Sequence, residues 1–188
     1  MKHVKTWIVG LFAFLIWGAQ AAGIADQLNG SSHVVLMRHA YAPGVGDPPG
    51  YVLERCDTQR VLNQEGKNQA VRIGRWLRAQ GVEKAQVFTS PWCRCKQTAE
   101  LLNLGPVRVE SALASFFDEP HLAVARNTSL QSFMAQALKT KGDQALILVT
   151  HHVNILEFMG QNIGSGDMVL ARVNPQGQLL DYKLIRSP

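Results

Sequence analysis

Two short apolar runs, each stopping abruptly at a histidine, constrain this chain more than anything else in it. Val34-Val35-Leu36-Met37 leads into Arg38-His39-Ala40, and Leu146-Ile147-Leu148-Val149-Thr150 leads into His151-His152. Runs of this kind read as strands buried on both faces, the usual state of a central strand in a parallel sheet. In open α/β sheets, ligands collect just beyond the carboxyl ends of the strands. Such a strand can hold an imidazole at the mouth of a cleft, with the Arg38 guanidinium beside it.

The segments around these runs complete an α/β pattern. Residues 22–32 are small and polar and read as a leader into the first strand. Residues 42–50 are rich in proline and glycine, so they exclude helix and central strand. Lying directly after His39, they are placed to rim a cleft. From Asn63 to Gln80 the spacing predicts a helix capped by Asn63, with Ala70, Ile73, Trp76 and Leu77 on one stripe and Gly81 as its stop. A second strand is predicted over 86–90. Pro91 then opens a helix to about Asn103. A third strand is predicted over 106–109, an irregular stretch over 111–127 and a helix over 129–139. The last elements are a helix from His152 to about Met159 and paired strands over 168–173 and 179–185, joined at Asn174–Gly177. Alternation of strands and helices predicts an α/β fold: a mainly parallel central sheet flanked by helices on both faces, a three-layer sandwich. No internal repeat occurs, and residues 22–188 read as a single domain.

The first 21 residues are of another kind. Lys2, His3 and Lys5 precede an almost wholly apolar stretch from Trp7 to Trp17, and Ala19-Gln20-Ala21 is a small-x-small cleavage signal. This reads as a secretory signal peptide cut after Ala21, which implies a periplasmic or secreted protein. The alternative is an uncleaved anchor, but the apolar run falls short of the ~20 residues a span needs, so no stable membrane span is expected after cleavage. Without Lys2 and Lys5 the 19 basic residues become 17, against 14 acids, for a net charge of +3. That suits anionic small substrates. Because Lys and Arg are dispersed, nucleic-acid binding is excluded.

An exported chain meets an oxidising compartment, where disulfides persist. A bridge from Cys56 to either Cys93 or Cys95 would tie the loop after the first strand to the segment holding Arg94. The alternatives are a zinc site, for which three cysteines lack ligand-like spacing, and a thiol-redox role for Cys93-x-Cys95, which leaves the histidines and arginines unexplained.

If the strands ending at His39, Ser90 and His151 are neighbours, their carboxyl ends bring Arg38, His39, Arg94 and His151 together. Two arginines offer forked donors that match phosphate oxygens. One imidazole can act as nucleophile while the second binds the equatorial oxygens of a phosphoryl group. Phosphoryl transfer asks mainly for positioning and charge stabilisation. No metal and no cofactor are expected, since the arginines and histidines carry the compensating charge.

These residues fall into recognisable motifs. Arg38-His39-Ala40, then Leu62-Asn63-Gln64-Glu65-Gly66-Lys67-Asn68-Gln69-Ala70, then Ser90-Pro91-Trp92-Cys93-Arg94-Cys95-Lys96-Gln97-Thr98-Ala99, and finally Leu148-Val149-Thr150-His151 stand in one order. The chain thereby resembles the histidine phosphatase superfamily, with its phosphoglycerate mutase-like fold. The resemblance implies a metal-independent phosphatase of phosphomonoesters in which His39 is phosphorylated and Arg38, Arg94 and His151 complete the phosphate pocket. His152 and Asn154 are further substrate-binding candidates by position. The general acid is expected in Asp118 or Glu119, with Asp47 and Asp57 as outside candidates. Compartment and size liken the chain to small exported members, including lipopolysaccharide core heptose phosphate phosphatases. The expected substrate is a phosphorylated sugar, another phosphorylated small molecule or a glycolipid. The rival expectation is a non-catalytic phosphate- or phosphosugar-binding protein that keeps the pocket.

Overall fold

The computed structural model describes residues 23–188, so the expected signal segment lies outside the described residues. Its centre is one six-stranded sheet built from β1 (His33–Arg38), β2 (Ala85–Thr89), β3 (Val107–Val109), β4 (Ala145–Thr150), β5 (Met168–Val173) and β6 (Leu179–Ile185). Their order in space is β3-β2-β4-β1-β5-β6. Strands β1 to β4 run parallel, whereas β5 is antiparallel to β1 and to β6. The sheet is therefore mixed, with its parallel part on the side that carries the histidines.

Alternation within the buried strands feeds two cores. Val35 and Met37 of β1, with Ile147 and Val149 of β4, face α1 (Ile24–Asn29), α2 (Gln64–Ala79) and α3 (Cys93–Leu102). Val34, Leu36, Leu146 and Leu148 face α4 (Ala123–Thr140) and α5 (His152–Met159). Both faces of β1 and β4 are covered, which is why their sequences are apolar without alternation.

Two stretches differ from expectation. Residues 22–32 are not a plain leader, because Ile24–Asn29 forms α1. Ile24 and Leu28, one turn apart, are buried. The Lys141 ammonium, itself buried, donates to Leu28 O at 2.7 Å and Gln144 O at 2.9 Å, tying the end of α1 to the turn before β4. Helix α4 begins at Ala123, six residues before the predicted start. Its polar first half is accommodated because the Thr128 and Ser129 hydroxyls donate to the Val124 and Ala125 carbonyls one turn back. Among the described residues, no helix is long and apolar enough to cross a membrane.

Candidate active site

The register of the parallel strands builds the site. Arg38 pairs with Thr150 across β1 and β4, and Thr89 pairs with Val149 across β2 and β4. The next residues, His39, Ser90 and His151, therefore emerge side by side. His39 N–H donates to Thr150 O at 3.0 Å and Ser90 N–H to Val149 O at 2.9 Å. Arg94, in the first turn of α3, projects into the same place. A cavity of about 240 Å³ results, lined by Arg38, His39, Gly44 to Asp47, Arg60, Arg94, Ser115, Phe117, Asp118, His151 and His152. A larger cleft of about 500 Å³ runs along β2 and β3, and no histidine lines it.

His39 is buried, and its Nδ1 lies 2.8 Å from Ala40 O. A carbonyl only accepts, so Nδ1 carries the proton and Nε2 is the free base. Burial pushes the His39 pKa well below the ordinary histidine value, and the Arg94 guanidinium adds to the effect. The ring is thus a neutral imidazole at neutral pH. Its backbone is fixed from two helices. Ala40 N–H donates to Thr98 Oγ1 at 3.0 Å, and Thr98 Oγ1 donates to Arg94 O at 2.7 Å. Tyr41 N–H donates to Gln69 Oε1 at 2.8 Å. Gly66 lets α2 approach this closely, since a Cβ there would stand 1.9 Å from Tyr41 O.

Arg94 is 3% exposed. Its Nη1 donates to both oxygens of Asp47 at 2.9 Å, and its Nη2 lies 3.3 Å from His151 Nδ1. A guanidinium only donates, so His151 Nδ1 accepts and Nε2 carries the proton towards Ser90 Oγ at 2.7 Å. Burial, and then Arg94, push the His151 pKa well below its ordinary value, consistent with a neutral ring. Its plane is edge-on to His39 at 5.6 Å and to Trp92 at 5.2 Å. Arg38 Nη1 donates to Ile163 O at 2.9 Å. The Nε atoms of Arg38 and Arg94 are buried with no hydrogen-bond partner among the described residues.

A family model described as the histidine phosphatase superfamily (branch 1) matches residues 34–116. The match spans 83 of the 188 residues, and over that stretch the chain is similar to the histidine phosphatase superfamily. Solved structures carry the same phosphoglycerate mutase-like fold. The protein histidine phosphatase SixA complexed with tungstate is 17% identical, with 81% of this chain and 93% of that one covered at a TM-score of 0.52. A mycobacterial glucosyl-3-phosphoglycerate phosphatase in complex with VO3 is 15% identical, with 83% and 98% covered at a TM-score of 0.60. At these identities the likeness is one of fold. No curated protein matches by sequence.

Of the candidates, Arg38, His39, Arg94, His151 and His152 share one cavity. His152 opens α5 and is half-buried, and burial together with Arg38, Arg60 and Arg94 lowers its pKa. Asp118 also lines the cavity, exposed, with the Tyr51 hydroxyl donating to its Oδ2 at 3.3 Å. Three candidates fall elsewhere. Asn154 is buried beneath the site and donates to Ala114 O at 2.9 Å, because its position on α5 turns it into the core. Glu119 precedes a short 3-10 turn (Pro120–Leu122) and is exposed away from the cavity lining. Asp57 is exposed and paired with Arg55. Asp47 is buried in the site as the partner of Arg94.

Arg60 escaped sequence reasoning. An arginine in a structureless loop reads as solvated, yet Arg60 Nε donates to Gly46 O at 3.0 Å and Nη1 donates to Ala42 O. Its N–H donates to Asp47 Oδ1 at 2.9 Å. The whole loop is stapled to α3 by the Cys56–Cys93 disulfide, with Cα atoms 5.6 Å apart, while Cys95 is free and buried. Among the described residues no group of three or more His, Cys, Asp and Glu is arranged to hold a metal ion.

Proposed function

We propose that the protein is an exported phosphatase that hydrolyses phosphomonoesters through a phosphohistidine on His39, without a metal. The observation that carries this reading is the tautomer of His39. With Nδ1 engaged by Ala40 O, Nε2 is an unprotonated nucleophile in a cavity that is also lined by three arginines, Arg38, Arg60 and Arg94. The Arg38, Arg60 and Arg94 guanidinium groups lining the cavity suit an oxyanion. Structural relatives hold tungstate, VO3 and inorganic phosphate, all oxyanions.

In the first step His39 Nε2 attacks phosphorus in line as the bond to the leaving oxygen breaks. Asp118, a carboxyl lining the cavity, is the group placed to give that oxygen its proton. In the second step water attacks phosphorus, the N–P bond breaks and Asp118 recovers a proton. His151 acts by holding Arg94, since both its nitrogens are engaged. Asp47, which accepts from Arg94, Trp92 Nε1 and Arg60 N–H, holds the same guanidinium from the other side. A phosphorylated sugar or lipopolysaccharide component as substrate, and export itself, rest on the sequence alone.

The test is phosphate release from p-nitrophenyl phosphate by the wild type and His39→Ala. Loss of ~10⁴-fold or more in kcat supports the nucleophile. Equal turnover by the variant would remove His39 from the reaction. The exposure of Asp118 favours one second reading, a binding protein that retains the pocket. It predicts phosphate binding with no release from any ester.

A further inference from the structure

The cavity has two chemically different ends. Its floor is polar and cationic, made by His39, Arg38 and Arg94. Its mouth carries Phe117, 41% exposed, and Val45, 87% exposed, on two different loops that line the same cavity. Other exposed apolar side chains, such as Val109, Val124 and Leu180, line no part of it. Exposed apolar surface gathered at a site marks what the site receives.

Phe117 is also held in place. Its ring lies 6.0 Å from the His152 ring at an interplanar angle of 59°, and its N–H donates to Ser115 Oγ at 3.2 Å. Gly46 passes beside it, where a Cβ would stand 3.6 Å from Cε1. An aromatic ring packed between a glycine and an imidazole, yet open to solvent, is a pre-formed platform. With phosphate held by His39, Arg38 and Arg94, the group esterified to it extends into the cavity that Phe117 and Val45 also line.

We infer that Phe117, with Val45 on the neighbouring loop, seats the leaving group, and that the leaving group is a ring presenting a flat apolar face. This rests on the phosphatase reading of the cavity. Asp118 lines the same cavity as Phe117, so a ring stacked on Phe117 keeps the leaving group in the cavity that holds that carboxyl. An aryl ring and the C–H face of a pyranose offer the same flat surface, and both suit the platform.

Phosphonates separate this inference from catalysis, because they bind without turning over. Calorimetry on the purified protein would compare orthophosphate, methylphosphonate, phenylphosphonate and a glucopyranosyl phosphonate. At least one ring phosphonate is expected to bind roughly tenfold tighter than methylphosphonate, and the tighter of the two identifies the kind of ring. In Phe117→Ser that preference should fall below about threefold, while Phe117→Tyr retains it. Phe117 is part-exposed, so both variants should unfold near the wild-type temperature. Absence of ring preference in the wild type, or its survival in Phe117→Ser, overturns the inference. Failure of orthophosphate and all phosphonates to bind would instead refute the phosphate pocket, and the inference with it.

Discussion

Arg94 and Asp47, 47 residues apart, form a buried bidentate ion pair whose side chains are 4% and 3% exposed. The pair joins the helix after β2 to the glycine-rich loop after β1, so it is both a staple and the mount of a pocket arginine. Breaking a buried pair from one side leaves an uncompensated charge, which costs about 3–5 kcal/mol. Asp47→Ala should lower stability by that order and reduce kcat/KM by ~10²-fold as the guanidinium loses its orientation. Thermal unfolding and phosphate-release kinetics check both. An unchanged melting temperature would mean that the pair carries no load.

The approach of α2 to the histidine loop gives a second prediction. Gly66→Ala would place a Cβ 1.9 Å from Tyr41 O, and Gly74→Ala would place one 2.2 Å from Leu102 O, away from the cavity. Both substitutions overpack the α2 surface, at roughly 1–3 kcal/mol each. Only Gly66→Ala displaces the backbone next to His39. Its kcat/KM should fall at least tenfold below that of Gly74→Ala at matched folded fraction. Equal activities would detach the glycine from the site.

The buried histidines predict an acid limb of stability. Burial holds the His39 and His151 pKa values well below 6.5 in the folded protein. Between the folded and ordinary values the unfolded chain binds protons that the folded chain does not, so stability rises with pH there. Above about 6.5 these two rings contribute no pH dependence. Stability should fall as pH drops below 6.5, and the slope should be shallower in His151→Asn. Denaturant unfolding at pH 7.5, 6.0 and 5.0 measures it. An identical slope in the variant would contradict the assignment.

The cysteines predict a specific pattern of reactivity. The Cys56–Cys93 bridge spans 37 positions, and loop-closure entropy for such a span corresponds to about 4 kcal/mol. Cys95 has its thiol pKa pushed up to about 12 by burial, so the folded protein should present no reactive thiol to Ellman-type reagents. One thiol is expected in denaturant and three after reduction as well. A fast-reacting thiol in the native state would contradict this arrangement.

The legible parts of this chain were those set by local sequence. Val34 to Met37 and Leu146 to Val149 are apolar on consecutive positions, and the change to Arg38-His39 and His151-His152 marks where each strand leaves the core. Ser90 and Arg94 sit at a strand-to-helix junction that proline announces. By contrast, Asp47 and Arg60 lie in a loop with no periodicity. Their directions are fixed by non-local bonds to Arg94, Gly46 and Ala42 and by the disulfide. Asn154 illustrates the converse, since closeness to His151 in sequence says nothing of which side of α5 it takes. Helix α1, at six residues, is too short for periodicity to show.

The central claim is a covalent bond between His39 and phosphorus, and trapping tests it most directly. The protein would be incubated with p-nitrophenyl phosphate, quenched in alkali and mapped by mass spectrometry beside His39→Ala. The account predicts an acid-labile phosphoryl group on the peptide containing His39, absent from the variant. A phosphoryl group on another residue, or steady phosphate release by His39→Ala, would contradict it.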